Sequence, residues 1–122
     1  YTLSKIMDKS SLVTYSEKLR SSLFKTASLS DIALVKYSNN YPCSKILDAI
    51  RRGDLGDHTY YIVCLDKDLS IRTRMLVSNS VIKGIATLVE DLWFTGEYAI
   101  KITIDNLDKL NKVRVWVIKA TL

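Results

Sequence analysis

Three runs in the second half of the chain switch between apolar and polar residues at every step: Ile71-Arg72-Thr73-Arg74-Met75, Ile100-Lys101-Ile102-Thr103-Ile104 and Lys112-Val113-Arg114-Val115-Trp116-Val117. A β-strand sends successive side chains to opposite faces, so each run predicts a strand with one apolar and one polar side. The polar sides carry Arg72, Arg74, Lys101, Thr103, Arg114 and Trp116. The segment from Thr59 to Leu65 is rich in β-formers and predicts a further strand. It leads through Asp66-Lys67-Asp68, a turn-type sequence, into the Ile71 run.

Helical spacing governs other stretches. Thr14-Tyr15-Ser16-Glu17 has the form of a capping box, followed by Tyr15, Leu19 and Leu23 at four-residue intervals. Ser28 or Ser30 can cap a second short helix that turns Leu29, Ile32 and Ala33 inward. Pro42 suits a first helical turn, Ile46, Leu47 and Ile50 form a stripe, Arg51 and Arg52 stand in the last turn, and Gly53 can end it. The longest helical pattern starts at Asn79 or Ser80. It runs through Val81, Ile82, Ile85, Leu88, Val89, Leu92 and Trp93, and stops at Gly96. Asp105 to Asn111 then joins the last two strands and has room for one helical turn.

The predicted fold is α+β. N-terminal helices precede a mainly antiparallel sheet of about four strands, and a long helix lies between its second and third strands (β-β-α-β-β). The 122 residues suit one domain, 1–122, with a helical part over 1–58 and a sheet-plus-helix part over 59–122. A first residue Tyr1 instead of Met is what a domain trimmed from a longer protein would have.

Charge adds a functional lean. The formal net charge is +5, which favours anionic partners: nucleic acid, an acidic membrane or an acidic protein. It is spread evenly, with nine Lys and Arg against six Asp and Glu in 1–58 and nine against seven in 59–122, so folding must assemble any basic patch. No apolar run approaches the roughly 20 residues of a membrane-spanning helix, and no signal-peptide pattern is present. An intracellular, cytoplasmic location with Cys43 and Cys64 as reduced thiols is the expectation.

Catalytic chemistry finds little support. His58, the single histidine, sits beside Asp57 in a polar segment, and a surface-loop role outweighs a general-base role. One His and two distant Cys do not make a zinc site. Cys64 lies in an apolar strand as a small hydrophobe. Cys43, near a helix N-terminus, is the better thiol candidate. The carboxylate pairs Asp66/Asp68 and Asp105/Asp108 read as turn residues, and the four glycines are too scattered for a phosphate loop. No catalytic residue, metal or cofactor is expected.

Cations interleaved with aromatics remain. Open sheets hold single-stranded nucleic acid by stacking bases on aromatic rings and tracking phosphates with Arg and Lys. Tyr60 and Tyr61 must face opposite sides of their strand, so one of them can join Trp116. The expected nucleic-acid-binding set is Arg72, Arg74, Lys101, Arg114, Trp116, Tyr60, Arg51 and Arg52. Arg51 and Arg52 form a second basic locus, near Lys18, Arg20 and Lys25. For that locus, simple solvation and helix-dipole complementation are the stronger reading. Trp93 continues the long helical stripe into the core, and Phe94 packs beneath the Gly96 turn. The leading expectation is a non-enzymatic protein that binds RNA or another single strand, ahead of duplex DNA. The alternative is a self-associating structural protein of viral matrix or capsid type that meets anionic membrane and nucleoprotein, or a protein-interaction domain. An enzyme built on Cys43 or His58 comes last.

Overall fold

The computed structural model describes residues 6–20, 31–66 and 71–121. Its elements are α1 (Lys9–Tyr15), a 3₁₀ turn (Glu17–Arg20), β1 (Asp31–Tyr41), α2 (Cys43–Arg52), β2 (Thr59–Asp66), β3 (Ile71–Ser78), β4 (Val81–Val89), β5 (Leu92–Thr95), α3 (Gly96–Asp105) and β6 (Val113–Thr121). The fold is α+β with an antiparallel sheet, as the patterning predicts. The sheet has six strands among the described residues, in the order β1-β6-β2-β3-β4-β5, not about four.

Several predicted elements hold. α2 buries Cys43, Ile46, Leu47 and Ile50 along one stripe, and each of the three aliphatic side chains is worth about 1.5–3 kcal/mol when fully removed from water. Gly53 ends it at φ 77°. The Gly53 N–H donates to Ile50 O (3.1 Å) and the Asp54 N–H to Ala49 O (2.9 Å), a Schellman motif that the left-handed glycine makes possible. β3 and β6 lie where alternation predicts strands, and β2 where the run of β-formers does. After α3, the Leu110 N–H donates to Asn106 O (3.1 Å), which is the helical turn expected between Asp105 and Asn111.

Three elements differ. The helix expected over 79–96 is a pair of strands, β4 and β5. β4 is enclosed on both sides, with Ile82, Gly84, Ile85, Ala86 and Thr87 all buried. A strand enclosed on both faces carries apolar residues in both alternating positions and so loses its period-2 signature. Its ends are two-residue turns, Asn79-Ser80 (φ 54° and 58°) and Glu90-Asp91 (φ 48° and 70°). Positive φ at both central residues is the type I′ geometry that matches strand twist. The strand expected at Ile100–Ile104 belongs to α3, which buries Ala99, Ile100 and Thr103 at helical spacing. Residues 31–41 form β1, paired with β6, so Ile32 and Ala33 belong to a strand and 1–58 is not wholly helical. Thr14 lies within α1, so it does not begin a helix as the capping-box reading requires. Leu23, Lys25, Ser28, Leu29, Ser30, Lys67 and Asp68 lie outside the described residues.

Both β1 and β2 run antiparallel to β6, hence parallel to each other, with α2 as their crossover. α3 likewise carries the chain from β5 back to β6. The two helices pack on one face of the sheet, against Ile62, Cys64, Ile71, Met75, Val77, Ile82, Ile85, Val113, Val115 and Val117. Under α3, three buried hydroxyls cluster: Thr103 donates to Ala99 O at 2.8 Å, and the single Thr87 proton serves either Thr103 Oγ1 at 3.0 Å or Thr73 Oγ1 at 3.4 Å. These bonds satisfy polar groups that would otherwise destabilise the core.

α1 and the 3₁₀ turn close the part of β4 that the short β5 leaves unpaired. The Asp8 N–H donates to Ile82 O (3.0 Å) and the Ile85 N–H to Ser16 Oγ (3.1 Å). The β3–β4 register slips between Leu76 and Val77, leaving Lys83 as the extra residue of a bulge. A bulge can re-aim a side chain. Here Lys83 Nζ reaches Asp8 Oδ2 at 2.7 Å.

Candidate nucleic-acid interface

Among the described residues, the face opposite α2 and α3 has one covered half and one open half. In the covered half, Leu19 is fully buried against Tyr61, Leu76 and Ala86, with Tyr15, Val63, Trp93 and Ile118 around them. Arg74 fastens this cover. Its Nη1 donates to Leu19 O (3.0 Å) and Arg20 O (3.4 Å), and its guanidinium carbon stands 5.0 Å from the Trp93 ring centre. Trp93 is therefore on the outer face and half-buried, not in the helix-facing core. Phe94 points the other way, packs against the main core and meets the Tyr98 ring at 5.5 Å.

The open half is a groove of about 340 Å³ lined by Tyr61, Val63, Leu65, Arg72, Arg74, Trp116 and Ile118. Strand register explains this set. Leu65 pairs with Arg114 on one side and Arg72 on the other, and Val63 pairs with Trp116 and Arg74. β2 thus supplies an apolar floor, and the neighbouring strands supply cations and an aromatic wall. Two interstrand spacings separate Arg72 from Arg114, about 9.6 Å at the backbone. No hydrogen bond or ion pair joins either arginine to another described residue, and Arg114 Nε is buried without a partner. A buried donor left unpaired costs about 1–3 kcal/mol. Burial pushes the Tyr61 phenol above its ordinary pKa, while the Arg74 and Arg72 charges oppose that rise.

Four of the expected binding residues therefore share this face: Arg72, Arg74, Arg114 and Trp116. The other four do not. Tyr60 turns to the helix side and packs against the main core; its neighbour Tyr61 is the one that joins Trp116. Lys101 is exposed on α3, across the sheet, because its alternating run is helical. Arg51 and Arg52 are exposed at the end of α2, paired with Asp48 (3.7 Å) and Asp54 (2.9 Å). Arg20 pairs with Glu17 at 3.1 Å. The apolar floor, Val63, Leu65 and Ile118, is absent from the sequence-based set. The signal for Val63 and Leu65 was their two-residue spacing from Tyr61 on β2, and for Ile118 its two-residue spacing from Trp116 on β6.

The remaining chemistry is sparse. Cys43 and Cys64 are buried free thiols with sulfurs 4.0 Å apart. The contact with Cys43 and complete burial push the Cys64 thiol well up, away from the nucleophilic thiolate. His58 is exposed, edge-on to Tyr60 at 6.3 Å. Among the described residues, no three His, Cys, Asp or Glu side chains converge on a point that could hold a metal, and no helix is long and apolar enough to cross a membrane. A second cavity, about 410 Å³, lies between Lys9, Leu12, Ser16, Glu17, Thr95, Gly96 and Glu97. The Thr95 hydroxyl donates to Glu17 across it at 3.0 Å; that bond first, and Arg20 second, hold the Glu17 carboxyl below its ordinary pKa. This cavity is a seam between α1 and the β5–α3 corner. Compared with known proteins, the chain matches no family model, no curated protein and no solved structure.

Proposed function

We propose that this chain is a non-enzymatic binding protein that contacts single-stranded nucleic acid, RNA ahead of duplex DNA, through the open half of its outer sheet face. The observation that carries this reading is the register that puts Arg72 and Trp116 in the lining of a groove with an apolar floor, with Arg114 beside Leu65 on the same face. Phosphates can meet the two arginines and a base can lie against the indole. A concave groove favours an unpaired base over a duplex, whose bases are already stacked. Net charge +5 adds a general attraction to polyanions.

The self-associating, matrix-type reading has weaker support. Its simplest route is pairing along β1, whose outer edge pairs with no described strand. That edge is irregular: its register slips between Leu34 and Lys36 and between Ser38 and Tyr41, and Asn40 has φ 61°. Bulged edges are poor templates for another strand.

Binding of labelled single-stranded RNA, measured beside anionic liposomes over a salt series, tests the proposal. RNA affinity should fall as salt rises, with a log–log slope of about −0.7 per phosphate contacted. Trp116→Ala should remove about 1–3 kcal/mol, the worth of one stacked base. Liposome binding without RNA binding would transfer the case to the membrane-associated reading. Binding to neither near physiological salt would end both.

A further inference from the structure

We infer that the groove holds a single nucleotide unit, with its phosphate between Arg72 and Arg114 and its base against Trp116; this rests on the nucleic-acid reading above and narrows it. Four observations lead there. The first is extent. The 3₁₀ turn and Leu19 cover one half of the face, and Arg74 is already committed to the carbonyls of that cover and to Trp93. What remains, about 340 Å³, is at the lower end of the roughly 300–1,000 Å³ typical of small-molecule sites. A recess of this size matches one nucleotide.

The second is the state of the cations. Arg72 and Arg114 straddle Leu65 in one row across β3, β2 and β6. Neither has a carboxylate partner among the described residues, and Arg114 Nε is a buried donor with no acceptor. A guanidinium fork is built for two-point recognition of a phosphate or carboxylate. A phosphate with several acceptor oxygens can serve both arginines at once.

The third is spacing. Trp116 follows Arg114 by two residues on the same face of β6, which is about 6.7 Å along the strand. That is the scale of one nucleotide from phosphate to base. The fourth is lining. Between the cations and the ring, Val63 and Leu65 offer apolar contact to a sugar and base edge, and beyond the ring Ile118 and Tyr61 continue the lining. An inorganic anion would leave this surface unused.

The test is competition against a labelled single-stranded RNA, with unlabelled uridine monophosphate, ribose 5-phosphate, inorganic phosphate and uridine as competitors, together with direct binding of oligonucleotides from two to twelve residues. Uridine monophosphate should displace the RNA, and ribose 5-phosphate and uridine should each be at least tenfold weaker. Affinity should change by less than about threefold between four and twelve nucleotides once the number of binding positions is counted. Arg72→Gln and Arg114→Gln should each weaken monophosphate binding at least tenfold. Arg114→Lys, which keeps the charge and loses the fork, should weaken it as well, with circular dichroism confirming that each variant folds. Lys101→Gln and Arg52→Gln, on the opposite side, should leave it unchanged.

Two results would overturn the single-nucleotide site while leaving RNA binding intact: affinity that climbs with every added nucleotide without competition by the monophosphate, or inorganic phosphate competing as well as uridine monophosphate. Binding of the monophosphate without any RNA binding would keep the nucleotide site and remove the nucleic-acid reading. Binding of neither would remove both.

Discussion

Gly84 shows how a single missing side chain positions the outer face. A Cβ at this position would stand 2.7 Å from Tyr15 Cβ and 3.1 Å from the Tyr15 carbonyl carbon. The second of these atoms is backbone, so it cannot yield without moving α1. Gly84 is therefore the point where the end of α1 rests on the sheet, with Ser16 bonded to the next residue, Ile85. Gly84→Ala should lift that contact and destabilise the fold by about 1–3 kcal/mol, the usual cost of overpacking, as read by urea denaturation. Because Leu19 lies 3.3 Å from the same added atom, the displacement should propagate to the cover beside the groove. An unchanged midpoint would mean that α1 does not sit this close.

The two β-hairpin turns at the ends of β4 carry the clearest lesson at the level of elements. Glu90 and Asp91 occupy left-handed conformations that favour glycine and asparagine, and each non-glycine residue there stores strain of about 1 kcal/mol. The double substitution Glu90→Asn, Asp91→Gly should raise stability by about 1 kcal/mol. It should appear as a higher urea midpoint with an unchanged slope, and the loss or absence of any gain would contradict the turn geometry. The same strain explains why a hairpin was hidden in the sequence. A Glu-Asp pair is an unusual turn, so nothing interrupts the apolar run from Val81 to Trp93, and its length then favours a helix. The β-branched residues Val81, Ile82, Ile85, Thr87 and Val89 were the available sign of strand. α3 shows the converse. Its Ile-Lys-Ile-Thr-Ile run has strand propensity, yet packing on the sheet and the Thr103–Thr87 contact override it.

Across the whole molecule, the N-terminal segment is joined to the sheet by groups far apart in the chain. Asp8 bonds Lys83 on the β4 bulge, 75 positions away. The hydrogen bonds from Lys83 first and Ser10 second hold the Asp8 carboxyl well below its ordinary value; burial opposes them, and Ser11 and the Lys83 charge add smaller contributions to the lowering. A depressed carboxyl pKa adds stability above its unfolded value, near 4, and loses it as pH falls from there toward the folded value. Acidification below about pH 4 should therefore weaken the attachment of α1. Asp8→Asn should remove this part of the acid dependence while lowering stability at neutral pH, measured as the urea midpoint across pH 2 to 7. An acid limb identical in the variant and the parent would show that other carboxylates govern it. The same seam bounds the groove, because Tyr15 at the end of α1 and Leu19 of the 3₁₀ turn cover the neighbouring part of the outer face.

Local sequence already contained the fold class, the α2 helix with its Gly53 stop, and the strands β2, β3 and β6. The α2 stripe and the alternation of β3 and β6 show their period in the residues themselves, and β2 shows in its run of β-formers. It also contained the grouping of Arg72 with Arg74 and of Arg114 with Trp116, since period-2 alternation places them in pairs on single strands. Tertiary structure alone set the strand order that brings those pairs to either side of β2, and it assigned Tyr61, not Tyr60, to the same side. It alone converted the Val81–Trp93 run into two strands and Lys101 into a helix residue on the far side. The reason is common to all of these. A periodic pattern reports only the polarity of an element's own surroundings. Strand neighbours, burial on both faces and the direction of a crossover come from contacts between residues remote in sequence, which no local window contains.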